Sequence, residues 1–90
     1  MTVEFDKSFE KWLSKINDKT LLGRIEKVIL QMESAESIDQ IQNAKKLAGF
    51  KRYYKVKLGN HRLGFEQTSK SVIRLIIVAD RKDIYRKFPK

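Results

Sequence analysis

Two lysines in the second half of the chain have the spacing of a phosphate-binding pair. Lys55 and Lys57 are two residues apart in the alternating segment 52–58, and in a β-strand residues at that spacing point to the same side. Arg62 follows the turn Gly59-Asn60 and reaches the same side when the hairpin is short. Like charges this close repel each other, and a fold has no need of such a pair. Together the three cations indicate a site for phosphate.

Arg81 and Tyr85 add a further cation and a phenol near the C-terminal end. Arg81 follows the apolar segment 72–79, and Tyr85 comes four residues later. A guanidinium donates charge-assisted hydrogen bonds to phosphate oxygens, and a tyrosine ring stacks on an unpaired nucleobase. Both residues are therefore candidates to join the phosphate site.

Ordinary structural roles are alternatives for each of these residues. Lysines on an open strand face discourage edge pairing and aggregation. Arg62 has Glu66 as a possible partner along the same strand, and Tyr85 has Phe88 as a possible packing neighbour. For Arg74, inside the apolar segment, we expect contact with Glu66 or solvent rather than with substrate.

The first half of the chain must supply helices that position this surface. Two apolar stripes recur at helical spacing, the first preceded by Asp6 as a plausible N-cap and the second following the interruption Asn17-Asp18. We predict two antiparallel helices joined by a short turn. The stripes consist of Phe9, Trp12, Leu13 and Ile16, then Leu21, Leu22, Ile25, Val28, Ile29 and Met32. Trp12, Phe9 and Met32 are expected in the core.

The second half changes to a period of two and predicts strands. Segments 52–58, 61–66 and 72–78 are separated by tight turns and form an antiparallel meander, preceded by an extended start at 2–5 and a polar connector at 34–43. Helices and sheet must cover each other's apolar sides. The predicted fold is α+β, in the order β-α-α-β-β-β, with the helical hairpin on one face of a small antiparallel sheet and residues 1–90 as a single domain.

Composition excludes several classes of function. The chain has 90 residues, 41% hydrophobic and 34% charged, with no cysteine and one histidine. These counts exclude a disulfide scaffold, a thiolate zinc site and a multi-histidine metal cage. The longest apolar run, 75–79, is too short to span a membrane, and the first residues do not form a signal peptide. We expect a cytoplasmic protein without a membrane partner.

The net charge of +9 lies almost wholly in one half of the chain. Residues 1–45 carry a net charge of −1 and residues 46–90 a net charge of +10. Such asymmetry directs the electrostatic field of a small domain. A solvated face that maintains solubility is one interpretation. A polyanionic partner, either nucleic acid or an acidic protein, is the other.

Three motifs in order resemble the RelE/ParE superfamily of bacterial toxins. The segment 49–65 is similar to the sheet of that superfamily, with its Lys-x-Lys strand (Lys55, Lys57) and Gly-x-x-Arg turn (Gly59 to Arg62). The segment 79–89 looks like the tail of the RelE-like branch, with Arg-Lys-Asp-Ile-Tyr at 81–85. The resemblance spans the whole chain, and three such motifs together are specific where one alone would be weak.

The resemblance implies an endonuclease that cuts messenger RNA in the A site of the 70S ribosome and so inhibits translation. In such toxins the ribose 2′-oxygen attacks the adjacent phosphorus and leaves a 2′,3′-cyclic phosphate or its hydrolysed form, without metal or cofactor. A cognate acidic antitoxin holds the toxin inactive. An extended or helical segment of the antitoxin is expected to lie over the apolar helix groove and the basic open face, where it displaces or shields the C-terminal tail of the toxin.

The catalytic roles implied by the resemblance fall on five residues: Lys55, Lys57, Arg62, Arg81 and Tyr85. Lys57 is expected to act as base or to stabilise the 2′-oxygen, and Lys55 and Arg62 to clamp the phosphate. Arg81 would donate a proton to the leaving group or stabilise it, and Tyr85 would stack on a base or assist proton removal. Further RNA contacts are expected from Arg52, Lys82, Arg86 and Lys87.

Two positions depart from the family pattern. Asp80 stands where members of this branch often carry histidine, and we expect its carboxylate to neutralise part of the charge of Arg81. His61 stands where tyrosine is more common. Because it alternates with Arg62 and points with Leu63 toward the other side of the strand, we interpret His61 as structural.

Two other functions remain open from the sequence. The first is a gyrase inhibitor of the ParE branch, which shares the fold without the nuclease. The second is a basic RNA-binding module without catalysis, favoured only where Asp80 has disabled the centre. The five-residue set favours the nuclease, since a gyrase inhibitor has no evident use for it.

Overall fold

The computed structural model describes residues 1–89, a five-stranded sheet with helices on both faces. The elements run β1 (Thr2–Phe5), α1 (Lys7–Ser14), α2 (Lys19–Ser34), a 3₁₀ turn (Ile38–Gln40), β2 (Ala44–Lys46), β3 (Tyr53–Leu58), β4 (His61–Ser69), β5 (Val72–Asp80) and α3 (Arg81–Lys87). The predicted α+β class, helical hairpin and meander are confirmed. The short strand β2 and the C-terminal helix α3 are additions to the predicted order.

The sheet is mixed rather than wholly antiparallel. Its strand order is β1-β5-β4-β3-β2, with β1 parallel to β5 and every other pair antiparallel. Tight turns join β3, β4 and β5 and set their directions, whereas β1 enters the sheet through the helical connection. The expectation of an antiparallel sheet was therefore wrong for β1, whose direction no local turn determines.

The main core lies between the helical hairpin and one face of the sheet. Asp6 caps α1 by accepting from the Ser8 backbone N–H at 3.0 Å, and Asp18 caps α2 by accepting from the Thr20 N–H at 2.9 Å. The fully buried side chains include Phe9 and Met32 from the helices, as predicted, and Val56, Leu63, Phe65, Ile73, Leu75 and Val78 from the strands. Alternation along β3 thus sends Lys55 and Lys57 to the opposite face.

The opposite face carries a second, smaller core beneath α3. Ile84 and Phe88 pack there against Ile77 and Ala79 of β5. A Cβ on Gly64 would stand 2.8 Å from both the Phe88 ring and a methyl of Ile77, so the glycine lets α3 approach the sheet closely. Part of the face expected to be open is therefore covered, and the part beside β3 stays exposed.

A parallel neighbour also explains the partners of Arg74. The register places Glu4 of β1 directly across from Arg74. Arg74 pairs with Asp6 at 3.0 Å and lies 3.6 Å from Glu4. Glu66 instead lies 3.5 Å from Arg52. The expected ion pair of Arg74 with Glu66 was wrong, because it was made without the β1–β5 pairing, whereas the expected contact with solvent holds for a side chain that is 38% exposed.

Candidate active site

The exposed part of the second face forms a basic cleft of about 390 Å³. We call it the β3 cleft, and it is lined by Asn43, Lys45, Lys55, Lys57, Arg62 and Tyr85. Four of these residues belong to the five predicted catalytic positions. The lining contains four cations and no carboxylate, so a bound anion meets attraction from several sides.

Cross-strand pairing brings the cations of the β3 cleft together. Lys57 lies directly opposite Arg62, and Lys45 lies directly opposite Lys55. Arg62 reaches the same face as Lys57, as expected for a short hairpin, because Leu58 pairs with His61 across a two-residue turn. Like charges at directly opposed positions destabilise a sheet. Two such pairs side by side indicate a surface arranged for an anionic ligand.

Local hydrogen bonds hold the Arg62 guanidinium beside the turn. Its Nη1 donates to the carbonyl oxygens of Gly59 at 2.7 Å and of His61 at 2.9 Å. Gly59 has a φ of 62°, in the left-handed region that this tight turn requires. Among residues 1–89 no ion pair joins Arg62 to Glu66, so the structural alternative for Arg62 does not hold. The guanidinium is oriented by backbone and faces the cleft.

Tyr85 lies in the β3 cleft rather than in the core. Its side chain is 67% exposed, and its hydroxyl is 3.4 Å from Lys55 Nζ, which lies 5.0 Å from the ring centroid. Phe88, by contrast, packs edge-on against Tyr53. The alternative in which Tyr85 packs beside Phe88 is therefore wrong, because one turn of α3 points Ile84 and Phe88 inward and leaves Tyr85 outside.

Arg81 stands at the start of α3, outside the lining of the β3 cleft. It is exposed, and its backbone N–H donates to the Asn60 carbonyl at 3.0 Å, which ties α3 to the β3–β4 turn. Arg81 is thus the one predicted catalytic residue that the cleft geometry does not gather directly. Its anchored backbone keeps the side chain at the end of the hairpin that carries Lys57 and Arg62.

Asp80 caps α3. Its carboxylate accepts from the backbone N–H of Asp83 at 2.9 Å and of Lys82 at 3.0 Å. These hydrogen bonds, first that from Asp83, together with nearby His61, hold the pKa of Asp80 below its usual range. No ion pair joins Asp80 to Arg81 within the described part of the chain. An aspartate just before a polar helical turn is the sequence signal for this cap.

The additional RNA-binding residues predicted from sequence do not share one surface. Arg52 pairs with Glu66 beside the second core, and Lys82 is exposed on the first turn of α3. Arg86 and Lys87 lie on the side of α3 that faces α1, in a different groove from Tyr85. The β3 cleft therefore receives none of the four.

Asn43 and Lys45 are cleft residues that sequence reasoning missed. Asn43 has a φ of 65°, a conformation that asparagine tolerates better than most residues, and it leads directly into β2. Lys45 faces the cleft because β2 pairs with β3. The segment Ala44-Lys45-Lys46 has no apolar alternation, so only the asparagine at the end of a polar connector signalled a turn here.

Two other features bear on the kind of site. In the described part of the chain, no group of three histidine, cysteine or acidic side chains is placed to hold a metal ion. None of the helices within residues 1–89 is long and apolar enough to cross a membrane. The chemistry available to the β3 cleft is that of ammonium, guanidinium, amide and phenol groups, which stabilise negative charge on phosphate oxygens and exchange protons.

Sequence comparison assigns this chain to a known class of protein. Residues 3–85 match the model of the family described as the ParE toxin of the type II toxin–antitoxin system, parDE. The chain is 32% identical over 90 residues to Toxin RelE3 of Methanocaldococcus jannaschii, a match that covers 99% of this chain and 100% of the relative. The protein is a toxin of a type II toxin–antitoxin system. It belongs to the RelE/ParE superfamily, within the RelE family.

Solved structures agree with this assignment. The toxin of the RelB–RelE antitoxin–toxin complex from Methanococcus jannaschii superposes with a TM-score of 0.80 at 30% identity, covering 96% of this chain and 99% of that one. YafQ from Escherichia coli has a TM-score of 0.63 at 13% identity over 92% of this chain and 96% of its own. The RelBE2 complex of Mycobacterium tuberculosis gives 0.58 at 18% identity over 89% and 96%. The last two likenesses concern the fold alone.

Proposed function

We propose that this toxin is a ribosome-dependent endonuclease that cleaves messenger RNA in the A site and so inhibits translation. The observation that carries the proposal is the β3 cleft, in which Lys57 opposes Arg62 and Lys45 opposes Lys55 beside the exposed Tyr85. Such a cleft binds a phosphate and offers an aromatic ring to a neighbouring base. Four of the five residues implied by the family resemblance line it.

The proposed reaction joins the ribose 2′-oxygen to the adjacent phosphorus and breaks the bond from phosphorus to the 5′-oxygen. Lys57, as the neutral amine, takes up the proton of the 2′-hydroxyl, while Lys55 and Arg62 bear the charge that develops on the phosphate oxygens. Arg81 stabilises the departing 5′-oxygen, which takes a proton from solvent, and Lys57 returns its proton to solvent after the step. The products are a 2′,3′-cyclic phosphate and a 5′-hydroxyl, with no metal in the scheme.

Tyr85 has a positioning role in this scheme. Its hydroxyl accepts a hydrogen bond from Lys55 Nζ at 3.4 Å, and its ring is exposed at the cleft. A base splayed out of the message stacks on such a ring, which brings the adjacent phosphate toward Lys55. The ribosome supplies the unpaired, extended message that the shallow cleft needs.

An acidic antitoxin is the proposed protein partner, and the cytoplasm is the proposed place of action. Two of the similar structures were solved as toxin–antitoxin complexes. The helical hairpin presents a mainly apolar groove lined by Leu13, Leu22, Ile25, Glu26, Ile29 and Leu30, of which Leu30 is 58% exposed. With a net charge of +9, the toxin attracts an acidic chain whose apolar residues cover this groove.

Primer extension on message from cells after brief induction tests the nuclease. The unaltered toxin should produce discrete cuts in frame with the codons, and Lys57→Ala and Arg81→Ala should abolish them. Lys70→Ala is the matched control. It removes the same charge as Lys57→Ala, but from an exposed residue in the β4–β5 turn. Intact message in cells whose growth has stopped would contradict the proposal.

Gyrase inhibition is the second candidate, because the family model that matches residues 3–85 is that of ParE toxins. It predicts that growth arrest persists in the double variant Lys55→Ala/Lys57→Ala, whereas the nuclease proposal predicts recovery of growth. Supercoiling of a reporter plasmid measured in the same cells separates the two. Relaxed plasmid with intact message would favour gyrase as the target.

A further inference from the structure

A second basic groove lies between α1 and α3, on the other side of α3 from Tyr85. We call it the α1–α3 groove; its cavity measures about 410 Å³. Four cations line it, with Trp12 and Ile76 among them: Lys11 of α1, Lys15 at the C-terminal cap of α1, and Arg86 and Lys87 of α3. No acidic side chain is among its lining residues. Nothing in the catalytic scheme above uses this groove.

Trp12 has a different environment from the one its place on an apolar stripe predicts. It is half-buried and contacts the edges of both hydrophobic cores. The ammonium groups of Lys15 and Lys87 lie 4.7 Å and 5.6 Å from its ring. The part of the ring that the cores leave uncovered lies under flexible lysine head groups, which a ligand can displace.

We propose that the α1–α3 groove binds a nucleotide unit of single-stranded RNA, with a base stacked on Trp12 and the flanking phosphates held by Lys11, Lys15 and Arg86. Stacking on an indole accepts any base, and the cations track the backbone. The groove therefore contributes affinity and orientation without selecting a sequence. This inference rests on the proposed function, which makes RNA the ligand, and adds a second contact outside the β3 cleft.

Helix α3 connects the two surfaces. Tyr85 faces the β3 cleft, while Arg86 and Lys87 face the α1–α3 groove, and Phe88 anchors the helix against Gly64. An RNA strand crossing α3 meets aromatic and basic side chains on both sides. An acidic peptide would satisfy the cations but would leave the accessible indole without a stacking partner, so RNA fits the groove better.

The chain contains a single tryptophan, so its fluorescence reports on this groove alone. The full toxin carrying Lys57→Ala, chosen to prevent cleavage, is titrated with a single-stranded RNA of about ten nucleotides. Binding should quench Trp12 fluorescence to a saturating level. Affinity should fall with salt, as expected for phosphate contacts.

Paired charge variants supply the matched comparison. Lys11→Ala/Lys15→Ala should weaken RNA binding about tenfold and lower the slope of log affinity against log salt by about 1.4. Lys19→Ala/Lys27→Ala removes the same charge from exposed positions of α2 and should change affinity less than about twofold. Equal affinities for the two double variants would overturn the proposal.

Two further outcomes are decisive. A saturating RNA titration without a change in Trp12 fluorescence would show that RNA does not occupy the groove. Polyglutamate that quenches as strongly as RNA at equal charge would overturn the RNA assignment and make the groove a site for acidic protein. Because quenching does not depend on cleavage, its result is independent of the primer-extension result: cuts without quenching refute the groove, and quenching without cuts refutes the nuclease.

Discussion

The cations of the β3 cleft owe their convergence to strand register. Lys57 and Arg62 face each other across a hairpin whose two-residue turn allows no other alignment without moving Arg62 to the opposite face. Lys45 joins them from β2 by facing Lys55. The electrostatic character of the site is therefore a property of backbone pairing, and each charge contributes according to the face it occupies.

Lys45 and Lys46 test this at the residue scale, because they are adjacent in β2 and point to opposite faces. Lys45→Ala should lower the rate of message cleavage about tenfold, since one of the cations around the phosphate is lost. Lys46→Ala removes the same charge and should leave the rate within about twofold. Quantitative primer extension at equal toxin levels measures both; equal effects of the two changes would contradict the assignment of Lys45 to the cleft.

At the scale of elements, α3 determines how much of the second face remains open. The helix is short, and it is held by the Asp80 cap at one end and by Phe88 against Gly64 at the other. Tyr85 reaches the cleft only because Ile84 and Phe88 are buried on either side of it. The packing of α3 against the sheet therefore also places Tyr85 at the β3 cleft.

Two substitutions at Asp80 distinguish its role as the N-cap of α3 from the effect of its negative charge. Asp80→Asn removes the charge and keeps a capping oxygen, so it should lower thermal stability less than Asp80→Ala does. Asp80→Ala removes both and should lower Tm by about 4 °C. Differential scanning calorimetry of the two variants gives the comparison. Equal losses of stability in both would mean that the charge beside Arg81, rather than the cap, is what matters.

Gly64 is the position most sensitive to added volume beneath α3. Gly64→Ala places a Cβ 2.8 Å from Phe88 and Ile77, and the overlap should cost about 2 kcal/mol of unfolding free energy. Displacement of Phe88 should also lower cleavage, because Tyr85 lies on the same helix. Gly64→Ala/Phe88→Leu, with a smaller side chain at 88, should recover part of the stability in urea denaturation. A double variant less stable than Gly64→Ala would contradict this packing.

At the scale of the whole molecule, a small network of charged side chains joins the first strand of the chain, β1, to the last, β5. Asp6 caps α1 and pairs with Arg74 of β5, while Glu4 of the parallel strand β1 lies beside the same guanidinium. Hydrogen bonds from the Ser8 hydroxyl and N–H, and then Arg74, lower the pKa of Asp6 to about 2. The Asp6 carboxylate therefore links α1 to β5, and Arg74 extends the network to Glu4 of the edge strand β1.

Acid should weaken this link in a defined range of pH. The folded pKa of Asp6 is about 2 and the ordinary value is 3.8, so the unfolded chain binds the proton first as pH falls. The stabilisation from Asp6 is complete above about pH 4 and is lost as the pH falls through 2. Tm measured from pH 5 to pH 2 should therefore decline, and Asp6→Asn should lower Tm at pH 5 and flatten the decline. An unchanged slope in the variant would assign the acid sensitivity to other groups.

Local rules were enough to predict the helical hairpin, the meander and the face shared by Lys55, Lys57 and Arg62. Helical spacing, strand alternation and a two-residue turn act over a few residues, so their outcome can be worked out from neighbours in the chain. Tertiary structure alone decided which way β1 runs, that β2 brings Asn43 and Lys45 to the cleft, and that Arg74 meets Asp6. It also decided that α3 covers part of the second face, with Tyr85 beside Lys55 and Trp12 between two lysines. These contacts join segments tens of residues apart, and they depend on which surfaces can be buried together, which no local pattern specifies.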